Sequence, residues 1–246
     1  MRRMRLVASV SAAAVLLAVL SACAPTGPVP PVNSTPAPSA PVEAPAEEAP
    51  APAGTAATAI TATVTIHDAP DGVAMATLAH PQRSGAPLTF LVSEIQGEWL
   101  NVHLSQRPNG STGWVRADEV TLQRLDYSLR VSTAENTVTL FRNADIVATY
   151  AAATGTGGTP TPVGTFYLTE LLAPMNQGYG PFAFGVSAFS DAVTSFGGGV
   201  GQIGLHGTDD SASIGTAASH GCIRLSNEDI TTLAGILPLG TPITIE

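Results

Sequence analysis

The sequence predicts a mainly β protein, with two small β units in series and one short helix near the C-terminal end. Three observations lead there. From Thr58 onward the chain divides into short apolar runs, many alternating with polar residues and most bounded by Gly, Pro, Asn or Asp, the pattern of strands and turns. One stretch, Ser226 to Leu237 (SNEDITTLAGIL), has the spacing and start signals of a helix. The segment before Thr58 has almost no large apolar side chain apart from its first twenty residues, so it cannot build a core.

Those first residues read MRRMRLVASVSAAAVLLAVLSAC. A basic start (Arg2, Arg3, Arg5) precedes an apolar run from Leu6 to Leu20 that is short for a membrane span, as in a secretory signal. The ending LSAC resembles the bacterial lipoprotein signal. That resemblance implies a signal peptide over 1–22, lipidation at Cys23, and attachment to the outer face of the cytoplasmic membrane. Residues 23–57 are rich in Pro, Ala and acidic side chains and read as an extended tether. At about 3.1 Å per residue such a chain reaches on the order of 100 Å.

The chain of 246 residues has a formal net charge of −9. Setting aside Arg2, Arg3 and Arg5 leaves seven arginines, and no lysine, against nineteen acidic residues, a charge of about −12. This argues against a nucleic-acid partner. If Cys23 carries lipid, Cys222 has no cysteine to pair with. In an exported protein an unpaired thiol is either buried or used.

The first β unit is expected over 58–122. ATVTIHDAP alternates into a turn, LTFLVSEIQGEWLNVHL reads as two strands joined at Gln96-Gly97, and RPNGSTGWVRADEV reads as a turn followed by a strand. The segment resembles a small bacterial SH3-like barrel, with GEWLNVHL and GWVRADEV as the most similar stretches. Trp99 and Trp114 read as packing residues, and His67, His80 and His103 lack the spacing of metal ligands.

The second unit is expected over 126–246. YSLRVSTAENTVTLFRNADIVATYAAATG gives three strands, with turns at Glu135-Asn136 and Asn143-Ala144. GTPTPVGTFYLTE gives a Pro/Gly turn into a strand. The Gly-rich stretch from Leu171 to Gln202 shows no clean period and reads as loop with short strands. IGLHGT is a strand ending at His206, and TPITIE closes the chain as a strand. Ser226 or Asn227 can cap the helix, with Glu228 and Asp229 favourable to its dipole.

Chemistry concentrates in His206-Gly207-Thr208 and Ser219-His220-Gly221-Cys222-Ile223-Arg224. Attack on an amide needs a sulfur nucleophile, a group to carry the proton, and donors for the developing oxyanion. A nearby imidazolium would lower the thiol pKa. Gly221 permits a backbone turn that aims N–H groups at one point. A buried inert thiol, or a zinc site built from His206, His220 and Cys222, uses the same residues.

HGTDDSASIGTAASHGCIRLSN, together with the upstream GTGGTPTPVGTFYLTE and its TPxG turn, resembles the signature of the YkuD-type L,D-transpeptidases. The likeness runs from Asp126 to Glu246. It implies Cys222 as nucleophile, His206 as proton acceptor and donor, and an oxyanion hole from the backbone N–H groups around Gly221 and Cys222. Ser219 would orient the site, and His220 and Gly221 would flank the nucleophile, His220 either through its side chain or through its N–H alone. Arg224, Tyr179 and Gly207 would meet the substrate, with Tyr179 in a lid. The implied partners are peptidoglycan stem peptides as donor and acceptor, with carbapenem β-lactams as covalent inhibitors and no metal or other cofactor. The implied product is a 3→3 crosslink. Hydrolysis of the same acyl-enzyme, or wall binding without turnover, are the alternatives.

Overall fold

The computed structural model describes residues 53–173, 178–195 and 199–246. Cys23, the signal and most of the tether lie outside these residues.

The N-terminal unit is a seven-stranded antiparallel sheet. Its strands are β1 (Gly54–Ala59), β2 (Thr63–His67), β3 (Ala74–Ala79), β4 (Thr89–Gln96), β5 (Trp99–His103), β6 (Thr112–Arg116) and β7 (Val120–Leu125), in the order β3-β2-β6-β5-β4-β1-β7. Alternation sets the inward face: Val64 and Ile66 on β2, Leu100 and Val102 on β5, and Val115 on β6 all point into one buried cluster with Phe90. Gly97 has φ +59, which lets β4 turn directly into β5. Trp99 is buried and meets His67 edge-on at 4.9 Å, a packing role.

One boundary differs from the sequence expectation. Gly54 to Ala57, placed in the tether, belong to β1, which lies between β4 and β7 with Ala56 and Ala57 fully buried. β7 likewise runs past Leu122 to Leu125.

The C-terminal unit carries an eight-stranded mixed sheet. In chain order its strands are β8 (Tyr127–Ser132), β9 (Thr137–Arg142), β10 (Asp145–Ala151), β11 (Thr154–Gly155), β12 (Gly164–Leu172), β13 (Ala183–Phe189), β14 (Gln202–His206), β15 (Ala217–Ser219), β16 (Ile223–Arg224) and β17 (Pro242–Ile245). The large sheet runs β10-β9-β8-β17-β12-β13-β14-β16, while β11 and β15 form a separate parallel pair. Helix α1 (Asn227–Ile236) follows β16 and buries Ile230 and Leu233 in the core of this unit. Ser226 is its N-cap: its Oγ accepts from the Asp229 N–H at 3.1 Å.

The two sheets share a seam. Tyr167 of β12 is fully buried with Ala56, Leu91 and Leu125 of the N-terminal unit. At Gly240 a β-carbon would sit 2.6 Å from the Ala56 β-carbon, so the backbones approach too closely there for a side chain.

Candidate active site

β14 and β16 run parallel, with Leu205 opposite Ile223 and His206 opposite Arg224. This pairing carries the end of the His206 strand alongside the Cys222 turn, sixteen residues later in the chain. A β-carbon on Gly204 would lie 3.4 Å from His206 Cδ2 and 3.8 Å from Cys222 Sγ, so imidazole and thiol face one spot above a residue without a side chain. The Gly204 N–H also donates to Cys222 Sγ at 3.4 Å.

His206 is buried, and its Nδ1 lies 2.6 Å from the Gly207 carbonyl. A carbonyl only accepts, so the proton sits on Nδ1 and Nε2 keeps its lone pair. Gly207, expected to meet substrate, does not line the cavity. It is buried against Gly180 and Asn227 and fixes the imidazole tautomer. Tyr179 packs against His206 with ring centroids 4.5 Å apart and planes tilted by 43°.

The nucleophile turn is held from within by Ser219. Its Oγ accepts from the Gly221 N–H at 3.0 Å and donates to the Cys222 carbonyl at 2.5 Å. Gly221 has φ +116, a conformation for which glycine is suited. The Gly221 N–H is therefore occupied and cannot serve the oxyanion hole expected of it. The Cys222 N–H makes no hydrogen bond among the described residues.

From outside, the TPxG segment completes the brace. Thr161, buried, donates to the Gly221 carbonyl at 2.9 Å and accepts from the Gly155 N–H at 2.9 Å. The Thr156 N–H and Thr159 Oγ1 both donate to the Ser219 carbonyl. The motif was legible in sequence, but the part played by its threonines comes from a contact 60 residues along the chain.

Burial dominates the electrostatics. It pushes the Cys222 thiol above its ordinary value, against the Gly204 N–H and the Arg224 charge, which favour thiolate. It pushes His206 down to about 4, with the Gly207 carbonyl opposing and Arg224 reinforcing. The expected imidazolium–thiolate pair is thus replaced by a neutral thiol beside a neutral imidazole. Arg224, partly exposed and 3.8 Å from Asp210, acts on the sulfur through its charge alone.

Cys222, His206, His220, Arg224 and Tyr179 line one cavity of about 220 Å³ together with Gln202. His220 is exposed at its margin, and its side chain makes no hydrogen bond among the described residues. Gln202, absent from the sequence expectations, is held by Thr169 Oγ1 and the Val186 carbonyl. A wider groove of about 1000 Å³ adjoins this cavity at Cys222, Gln202 and Tyr179 and extends to Gln82, Arg83 and Ser84 of the N-terminal unit and Glu170 of β12. Among the described residues no three His, Cys, Asp or Glu side chains converge as metal ligands.

Residues 126–245 match the sequence model of the YkuD L,D-transpeptidase catalytic domain. This segment is similar to YkuD-type catalytic domains. The YkuD protein of Bacillus subtilis is 39% identical to the chain over 122 residues, and that of Bacillus licheniformis 36% over the same length. The aligned part is 49% of this chain and 66% of each relative. Among solved structures, L,D-transpeptidase 3 of Mycobacterium tuberculosis, in complex with a faropenem-derived adduct, has a TM-score of 0.44 at 14% identity. That similarity covers 57% of this chain and 76% of the other.

Proposed function

We propose that the protein is a peptidoglycan L,D-transpeptidase that uses Cys222 as nucleophile. The observation that carries the reading is the meeting of Cys222 Sγ and the His206 ring above Gly204, at the junction of two clefts. A neutral pair suits this chemistry: as Sγ bonds to the carbonyl carbon, the thiol proton passes to His206 Nε2, and no charged base has to be desolvated. The carbonyl oxygen gains charge next to the Cys222 N–H and the Arg224 guanidinium. Collapse breaks the bond to the leaving D-alanine, whose amine takes the proton back from His206. An amine from a second stem then attacks the thioester, gives its proton to His206, and frees the thiol as a 3→3 crosslink forms. Bond energy passes through the thioester, so the reaction needs no external energy source.

Incubation of the full chain with a disaccharide-tetrapeptide tests this. The reading expects a crosslinked dimer lacking one D-alanine. Tripeptide without dimer would make water the acceptor. No change in the substrate, with folded protein, would favour the wall-binding alternative.

The SH3-like character of the N-terminal unit and the lipid anchor at Cys23 belong to the same proposal, supported by the sequence stretches quoted above. Cys23→Ala should move the protein out of the membrane fraction, because attachment rests on the acyl chains. Unchanged membrane association would remove the anchor.

A further inference from the structure

Two side chains of the N-terminal unit reach past the seam into the catalytic one. They lie in the loop between β5 and β6. Arg107 donates through Nη1 to the Val200 carbonyl at 2.7 Å and through Nη2 to the Ser190 carbonyl at 2.5 Å. Its guanidinium also lies over the Phe189 ring, 5.1 Å from the centroid. Asn109 makes a reciprocal pair with Phe189: Nδ2 donates to the Phe189 carbonyl at 2.8 Å, and the Phe189 N–H donates to Oδ1 at 2.9 Å.

These bonds converge on the connection between β13 and β14, described over 190–195 and 199–201. Ser190 leads out of β13 and Gly201 leads into β14, and the Ser190 N–H donates to the Gly201 carbonyl at 2.9 Å. Ser190, Val193 and Gly201 form one wall of the cavity holding Cys222. The wall also abuts the nucleophile turn: a β-carbon on Gly221 would meet Ser190 Oγ at 3.8 Å. The register of β13 against β14 shifts between Gly185 and Phe189, so the regular ladder is interrupted just where this wall begins. One arginine bonded to both stems, and one amide closing on both main-chain polar groups of a single residue, brace this interruption in the ladder.

We propose that Arg107 and Asn109 are positioning residues for the reaction at Cys222. They act through the wall of Ser190, Val193 and Gly201, so that the N-terminal unit is a working part of the active site. The proposal rests on Cys222 being the nucleophile. Neither side chain lines the cavity itself; each holds its wall from behind through main-chain groups. Their removal should misplace the wall against a bound substrate while leaving the thiol itself intact.

The test uses the full chain, meropenem as acylating probe, and iodoacetamide as a small probe of the same thiol. Arg107→Ala and Asn109→Ala should each raise the meropenem concentration for half-maximal acylation rate by about tenfold, a displacement effect. Iodoacetamide alkylation of Cys222 should stay within about twofold of wild type, because the nucleophile's own setting is unchanged. Arg107→Lys, which keeps the charge and one bond, should recover part of the loss, and it stands in if the alanine variant does not fold. A folded variant with an unaltered saturation curve overturns the proposal. So does an equal fall in acylation and alkylation, which marks general damage. If wild type is alkylated but never acylated, the nucleophile reading itself has failed.

Discussion

The two sheets of this molecule differ in what they bury. Among the described residues the N-terminal unit hides a single polar side chain, Thr89, and otherwise fills its interior with Val, Leu, Ile, Phe, Ala and one Trp. The C-terminal unit buries Thr154, Thr161, Ser190, His206 and Ser219 within the elements that surround Cys222. A buried polar group costs stability unless it is hydrogen-bonded. Here Ser219, Thr161 and His206 each have partners, and these include main-chain groups of the nucleophile turn and the Gly207 carbonyl that follows the His206 strand. The difference teaches where each unit's stabilising interactions act. In the first sheet they hold the fold together, and in the second a share of them fixes one cysteine against one histidine.

The contrast can be broken most sharply by a core truncation on the quiet side. Ile66→Ala should lower unfolding free energy by about 2–5 kcal/mol through the cavity it leaves. Acylation per folded molecule should be unchanged, and denaturant unfolding alongside intact mass spectrometry separates the two. A slowed acylation in fully folded Ile66→Ala protein would show that the sheets do not divide these tasks. His206→Ala is the opposite case. It should keep the circular dichroism of the wild type and lose acylation by a factor on the order of 10² or more, about 2.7 kcal/mol. Near-normal turnover would pass the base role to His220.

Ser219→Ala should fall between the two. It leaves the Gly221 N–H without its buried acceptor and frees the Cys222 carbonyl, costing roughly 1–3 kcal/mol of stability, and it should also slow acylation. A stability loss with unaltered acylation would make Ser219 a core residue only.

Much of this was legible in the sequence, and the misses have physical causes. Strands alternating about one buried face, such as β2, β5 and β8, announced themselves. β1 did not, because GTAATA continues the alanine-rich composition of the segment before it. Those small side chains are what fits where Gly240 presses on Ala56. β13 read as loop with short strands because it is buried on both faces and so shows no period. At the site, His206 and the Ser219–Cys222 run stood out because their residue types state their chemistry. Gly204, Thr161, Arg107 and Asn109 did not. Each acts through a partner that only strand pairing or unit packing brings near, and for Arg107 that partner is more than eighty residues away.

Acidity tests the burial of His206 through stability alone. Unfolded chains take up a proton on histidine near 6.5, whereas burial delays His206 in the folded protein to about 4. Acidification through that window therefore removes stability, since the unfolded state gains a proton that the folded state refuses. In wild type the melting temperature should fall between those pH values, and His206→Ala should lessen the fall. Equal slopes in both proteins would put the imidazole in an ordinary, solvated setting.

The central claim is that Cys222 is an accessible nucleophile served by a neutral histidine, and a strained amide tests it most directly. Intact mass spectrometry of the full chain after incubation with meropenem should show one added β-lactam, mapped by proteolysis to the peptide containing Cys222 and absent in Cys222→Ala. EDTA should leave the reaction unchanged, and prior alkylation of the thiol should abolish it. An adduct that EDTA suppresses, or no adduct on folded protein whose thiol still titrates, would contradict the account.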